Sequence, residues 1–178
     1  VQGVVAGGHP ATCRAAADAL AAGGNAFDAA VAAGFAAAVA EPTLTGLGGG
    51  GFLMARTAAG EATLFDFFVD TPGSGLPEPE LAPHFLPVTV HFGNADQDFN
   101  IGLGSVAVPG CLAGYLHVHA RLGRLPLTAV LAPAVRLAWE GVEINAQQAY
   151  LVDILQPILT LAETGRRLYT RQLERLAS

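Results

Sequence analysis

Between Ala29 and Ala40 the chain runs for twelve residues without a polar side chain, and eight of the twelve are Ala. A helix built from that stretch is small-sided and apolar on every face, so several neighbours have to wrap it at close range. It stops at Glu41 and is too short to span a bilayer, which takes about 20 apolar residues. Such a helix demands a core of real size. A chain of 178 residues with 52% hydrophobic and 13% charged side chains can supply one, and the same numbers exclude disorder. No signal peptide is visible, and the residues by themselves assign no compartment.

Charge removes several functions. The net charge of -6 argues against a nucleic-acid partner, which needs clustered cations. All nine cationic residues are Arg, so Schiff-base chemistry, a Lys base and a Walker-type phosphate loop have no residue to work with here. Cys13 and Cys111 lie in helix-like, Ala-rich surroundings and read as two buried thiols rather than a disulfide framework.

The elements follow from their punctuation. Residues 1–6 read as a short strand. A helix over 11–22 is closed by Gly23-Gly24, and Asn25 caps the next, with Asp28 in its first turn, where the helix dipole favours an acid. That helix ends at Glu41-Pro42. Strands at 52–56 and 63–69 flank a turn at 58–60 and form a hairpin. Residues 71–100 are rich in Pro and Gly. Within them 88–92 alternates like an edge strand, and the rest reads as loop. A strand at 104–108 precedes a helix at 111–122. A further helix starts after Leu125-Pro126, is interrupted at Pro133 and closes at Gly141. A helical stretch over 146–176 should break at Pro157 and Gly165. The class is α+β and mostly helical, with too few strands for a closed core, so further sequence should complete the sheet.

Several apparent motifs dissolve on inspection. The run Gly46-Leu47-Gly48-Gly49-Gly50-Gly51 satisfies G-x-G-x-x-G, but a helix precedes it and a strand follows, the reverse of a dinucleotide site. Gly48 to Gly51 are therefore expected to be structural, packed against backbone. His117 and His119 lie two apart on one helix and face different ways, with His119 on the apolar stripe. His9, His84 and His91 have no ligand spacing, so no metal is expected. None of Ser74, Ser105 and Ser178 stands in a nucleophile elbow, and Ser105 is expected to bond backbone. Asp66 is a single acid within an apolar strand and makes no dyad.

Six segments, taken in order, resemble the large subunit of γ-glutamyltranspeptidases. They are Gly7-Gly8-His9-Pro10; Gly23-Gly24-Asn25-Ala26-Phe27-Asp28 and the Ala-rich run after it; Glu41-Pro42; Gly46 through Phe52; Ser105-Val106-Ala107-Val108-Pro109-Gly110; and residues 131–141. The resemblance implies that residues 1–178 form a partial domain of a four-layer αββα N-terminal-nucleophile hydrolase. It implies a precursor that cuts itself, and a small catalytic subunit whose new N-terminal Thr attacks a γ-glutamyl amide with its own α-amine as base. The expected substrate is a small γ-glutamyl or related amide, as for a glutathione hydrolase, with hydrolysis favoured over transfer. No cofactor or metal is implied. A periplasmic or secreted location follows only from the resemblance, with the cytoplasm as alternative. No Thr in these residues precedes a His, so the chain lacks the catalytic threonine's motif. The alternative reading is a catalytically silent relative kept for binding or assembly.

One departure bears on specificity. Where the family reads Asp-Phe-Arg-Glu and then Ala-Pro, this chain has Asp66-Phe67-Phe68-Val69-Asp70-Thr71-Pro72. Phe68 thus stands at the position of the Arg that holds the glutamyl α-carboxylate. Either another Arg takes over or the acyl group is not an ordinary γ-glutamyl.

Overall fold

The computed structural model describes residues 3–77 and 82–176, with side-chain environments as far as residue 170. Among these the order is α1 (Pro10–Ala21), α2 (Ala26–Ala40), β1 (Gly51–Arg56), β2 (Ala62–Phe67), β3 (Leu86–His91), β4 (Asp96–Ile101), a 3₁₀ turn (Leu103–Ser105), α3 (Cys111–Leu122), α4 (Leu127–Glu140), α5 (Ala146–Ile154), α6 (Gln156–Leu159) and α7 (Glu163–Leu176). The chain divides into two compact units, Val1–Asp70 with Val108–Glu143, and Thr71–Ala107 with Ile144–Ser178.

The first unit is organised by the start of α2. Gly23, at φ +90°, takes the left-handed step that ends α1, and Asn25 then caps α2 through the amides of Phe27 and Asp28 at 2.9 and 3.0 Å. The Asp28 carboxylate accepts the Asn25 amide in return, completing a capping box. Asp28 is wholly buried, and it also accepts the amides of Arg124 and Leu125 in the α3–α4 connection. The Asn25 side chain donates to the Leu122 carbonyl at 2.6 Å. One cap therefore stitches together segments nearly 100 residues apart.

Behind that stitch, α2 packs on α1, α3 and α4, as an apolar, small-sided helix must. Val31, Ala32 and Phe35 share a core with Val118 of α3 and Val130 and Ala134 of α4. Fully burying a valine contributes about 1.5–3 kcal/mol, so Val31, Val118 and Val130 anchor this layer. The β1–β2 hairpin pairs Gly51 with Phe67 through to Arg56 with Ala62. Ala55 and Phe65, with Leu53 and Phe67, face the helical core. The alternate residues Phe52, Met54 and Leu64 are exposed.

In the second unit β3 and β4 form an antiparallel hairpin with Leu86 opposite Ile101 and His91 opposite Asp96. Asn145 and Gln148 form a second capping box at the start of α5.

Five expectations from sequence need correction. Residues 3–6, the described part of the first strand, pair with no strand. Residues 104–108 form no strand either: a 3₁₀ turn covers Leu103–Ser105, and only Val108 makes a bridge, to Asp70. β4 occupies residues read as loop. Helix α4 runs through Pro133, where the lost hydrogen bond and the ring's clash with the preceding turn cost about 3 kcal/mol, and the ring is buried along with Val130 and Ala134. The C-terminal helices part at Leu155 and at 160–162, not at Pro157 and Gly165. Pro157 sits in the first turn of α6, where its missing N–H costs nothing.

Candidate functional site

Three segments that are remote in sequence meet at one end of the β1–β2 hairpin. The glycine-rich stretch before β1 supplies Gly49 and Gly50, the end of β2 supplies Phe67 to Asp70, and the start of α3 supplies Val108 to Cys111. The Gly49 carbonyl accepts the amides of both Gly110 and Cys111 at 3.1 and 3.0 Å, which ties the loop to the first turn of α3. Asp70 and Val108 exchange two backbone bonds, at 3.1 and 2.8 Å.

The glycines here are required by close approach. A β-carbon on Gly50 would fall on the Val69 amide nitrogen and stand 2.7 Å from the Phe68 carbonyl carbon. One on Gly110 would fall on the Phe67 carbonyl oxygen and stand 2.9 Å from that of Phe68. Both neighbours are backbone and cannot swing aside. The backbone on either side of Phe68 is thus held between two glycines. Gly48, by contrast, faces open space, so the expectation of backbone packing from Gly48 to Gly51 holds at Gly50 and fails at Gly48. The run is preceded by α2 and followed by β1, so it does not itself open a helix as a dinucleotide-binding turn does, and it meets the first turn of α3 with a carbonyl rather than with space for an anion.

Phe68 lies one residue past the end of β2, with its amide donating to Asp66 Oδ1 at 3.0 Å. Its ring stacks on that of Phe52, centroids 5.4 Å apart and planes 11° apart, and the two residues are 58% and 59% exposed. Asp66, read as an acid within an apolar strand, is exposed on the same outer face. Phe52 was not singled out from sequence. The hairpin register held the signal, since pairing Phe52 with Asp66 sets residues 52, 66 and 68 on one side of the sheet.

Beneath the junction, Tyr115 of α3 packs edge-on against Phe67 and at a tilt against Phe35. Burial pushes its phenol well above the ordinary tyrosine range, and the hydrogen bond to Cys111 and that thiol's charge push it further. Cys111 is buried, but Cys13 is only half-buried, which corrects the expectation of two buried thiols. The helix-borne histidines separate as their spacing requires. His119 Nε2 lies 2.9 Å from the Leu125 carbonyl and 3.6 Å from Asp28, while His117 meets the edge of Phe65. Ser105 donates its hydroxyl to the Gly102 carbonyl. Among the described residues no three His, Cys, Asp or Glu side chains are grouped to hold a metal ion. No described helix is long and apolar enough to cross a membrane.

Comparison with known proteins adds the context. The family model described as Gamma-glutamyltranspeptidase matches residues 12–178. The chain is 40% identical over 144 residues to an acylase ACY 1 proenzyme of Pseudomonas sp. (strain V22), a match covering 79% of this chain and 25% of that protein. It is 35% identical over 144 residues to the glutathione hydrolase proenzyme of Escherichia coli, covering 81% and 24%. The crystal structure of Helicobacter pylori γ-glutamyltranspeptidase superposes with a TM-score of 0.74 at 27% identity, over 93% of this chain and 45% of the other. The chain thus spans about a quarter of the length of the curated relatives it matches.

Proposed function

The chain belongs to the γ-glutamyltranspeptidase family, with part of its four-layer αββα N-terminal-nucleophile fold, and on that premise we propose that it is the large-subunit portion of a threonine amidohydrolase. Residues 1–178 are then part of one domain, and other sequence lays a second sheet on the outer face of the β1–β2 hairpin. Phe52, Met54 and Leu64 on that face are far more exposed than a finished core tolerates, which supports this reading. A threonine outside these residues attacks the amide carbonyl and passes its proton to its own α-amine. The leaving amine takes that proton, and water then cleaves the acyl ester.

The observation that carries the proposal is the meeting of two family-like segments, at Gly49–Gly50 and Gly110, on either side of Phe68, the position where relatives are expected to hold the acyl group. What remains for this chain's residues is to shape the acyl pocket. With Phe68 in place of an Arg, the wall presents a ring to the substrate, and the adjacent carboxylates are those of Asp66 and Asp70. A substrate carboxylate brought there loses a bidentate partner, and each 1.4 kcal/mol lost is tenfold in rate or affinity. We therefore assign the protein to amides whose acyl group lacks a carboxylate at that point, closer to an acylase than to a glutathione hydrolase.

Steady-state kinetics of the full-length protein test this. On γ-glutamyl-p-nitroanilide kcat/KM should fall about 100-fold or more below that on butanoyl-p-nitroanilide, which is the same acyl chain without carboxylate and amine. A γ-glutamyl value within the ordinary enzyme range of about 10⁴–10⁸ M⁻¹s⁻¹ would mean that another cation has replaced the Arg.

A further inference from the structure

Resting on the amidohydrolase reading, we propose that Glu41 is a positioning residue, whose side chain, held by Thr12, anchors the loop that clamps Phe68 at its far end. Glu41 breaks a local rule. It is the C-cap of α2, where the negative end of the helix dipole disfavours an acid, and the last turn of α2 carries no basic residue. The ion pairs among the described residues involve His91, His119 and Arg136, and none reaches Glu41. A residue that violates its local preference without a charge partner points to a positional role.

Two contacts fix the side chain. The hydroxyl of Thr12, a buried residue of α1, donates to Glu41 Oε1 at 2.7 Å. A β-carbon on Gly8 would fall on Glu41 Oε2, so the carboxyl group is pressed against the backbone that enters α1. Gly7-Gly8-His9-Pro10 and Glu41-Pro42, two of the six family-like segments, thus meet at this group.

The main chain of Glu41 starts the loop. Its carbonyl accepts the amides of Leu44 and Thr45, both at 3.0 Å. At the other end the Gly49 amide closes a turn on the Gly46 carbonyl, the Gly49 carbonyl is tied to α3, and Gly50 abuts the Phe68–Val69 backbone. Between these ends, a β-carbon on Gly46 or Gly48 would meet nothing within 4 Å, so the two ends set the loop's course. The α1–α2 pair does not need the Thr12 bond. Ala16 and Ala19 already share a core with Ala29, Val31 and Ala32. The distinct effect of the bond therefore falls on the loop, and through Gly50 on Phe68.

The test uses the full-length protein and whichever of the γ-glutamyl and butanoyl anilides it cleaves better. Thr12→Val removes the donor and keeps the side chain's shape. It and Glu41→Ala should each lower kcat/KM about tenfold, with KM rising, whereas Glu41→Gln keeps the acceptor and should stay within about threefold of wild type. A merely less stable enzyme would lose active molecules at unchanged KM. Hydrogen exchange gives a second readout, which stands on Thr12→Val even if Glu41→Ala fails to fold. Amides of residues 44–49 should exchange about tenfold faster, while those within α1 and α2 keep their protection. Unchanged KM, unchanged loop exchange, or protection lost equally across both helices would assign the bond to helix packing and overturn the positioning role, leaving the amidohydrolase intact. A Glu41→Gln variant as impaired as Glu41→Ala would overturn the hydrogen-bonded anchor. Wild-type protein that cleaves neither anilide would overturn the amidohydrolase reading and the positioning role with it.

Discussion

Replacing Gly50 by Ala places one methyl group against the backbone that carries Phe68. The new carbon would stand 2.7 Å from the Phe68 carbonyl carbon, whereas carbon atoms rest about 3.5 Å apart or more. The Phe68–Val69 backbone must therefore retreat by about 0.8 Å, which is the difference between these distances. It cannot do so freely, because Gly110 closes on the Phe67 and Phe68 carbonyls from α3 and Asp70 is bonded to Val108. Overpacking of this kind costs about 1–3 kcal/mol. A displacement near 1 Å of a substrate-positioning group costs up to about 100-fold in rate. We expect Gly50→Ala to lower kcat/KM on the preferred anilide by about 30- to 100-fold and to lower the melting temperature by several degrees. Gly48→Ala is the control, since a β-carbon there meets nothing within 4 Å. If the two variants are indistinguishable in rate and melting, the clamp on Phe68 is not what positions the site.

Other measurements probe the supports. Asp28→Ala leaves the amides of Asn25, Arg124 and Leu125 without their acceptor and should cost about 3 kcal/mol in urea unfolding of the full-length protein; a loss under about 1 kcal/mol would contradict the stitch. Tyr115 holds its proton in the folded state well beyond pH 10, where the unfolded chain releases it. Stability should therefore fall as pH rises above about 10, and Tyr115→Phe should flatten that fall. Residues 1–178 expressed alone expose Phe52, Met54, Leu64 and Phe68 and should lack a sharp cooperative melt; a sharp one would contradict the partial-domain reading.

Local punctuation carried most of the first unit. Gly23-Gly24-Asn25 marked the α1–α2 junction because the left-handed step and the cap are chemically specific. The bounds of α3 were legible from Pro109-Gly110 and Gly123 as breakers, although Gly110 makes no side-chain cap and Gly123 is extended rather than left-handed. Legibility failed where pairing overrides propensity. The sequence Asp96-Gln97-Asp98-Phe99-Asn100 is poor strand material, yet β3 recruits it through Thr89–Asp98 and His91–Asp96 bonds at 2.6 and 2.7 Å. Gly165 looked like a breaker and is instead a close approach, since a β-carbon there would fall on the Leu159 carbonyl oxygen. Asp28 was read as a dipole partner, but nothing local announces that its carboxylate also holds the α3–α4 turn. At the candidate site, Phe68 was legible only through resemblance to the family. Its partner Phe52 needed the register of the hairpin, and the glycine clamp needed three dimensions.

Intact mass of the purified full-length protein decides whether it is the self-cleaving threonine amidohydrolase proposed above. Two complementary fragments are expected, the second beginning at Thr, with a covalent acyl adduct on that second fragment when a slow amide substrate is trapped. A single uncut polypeptide that forms no adduct would contradict it and would favour the silent, binding or assembly role.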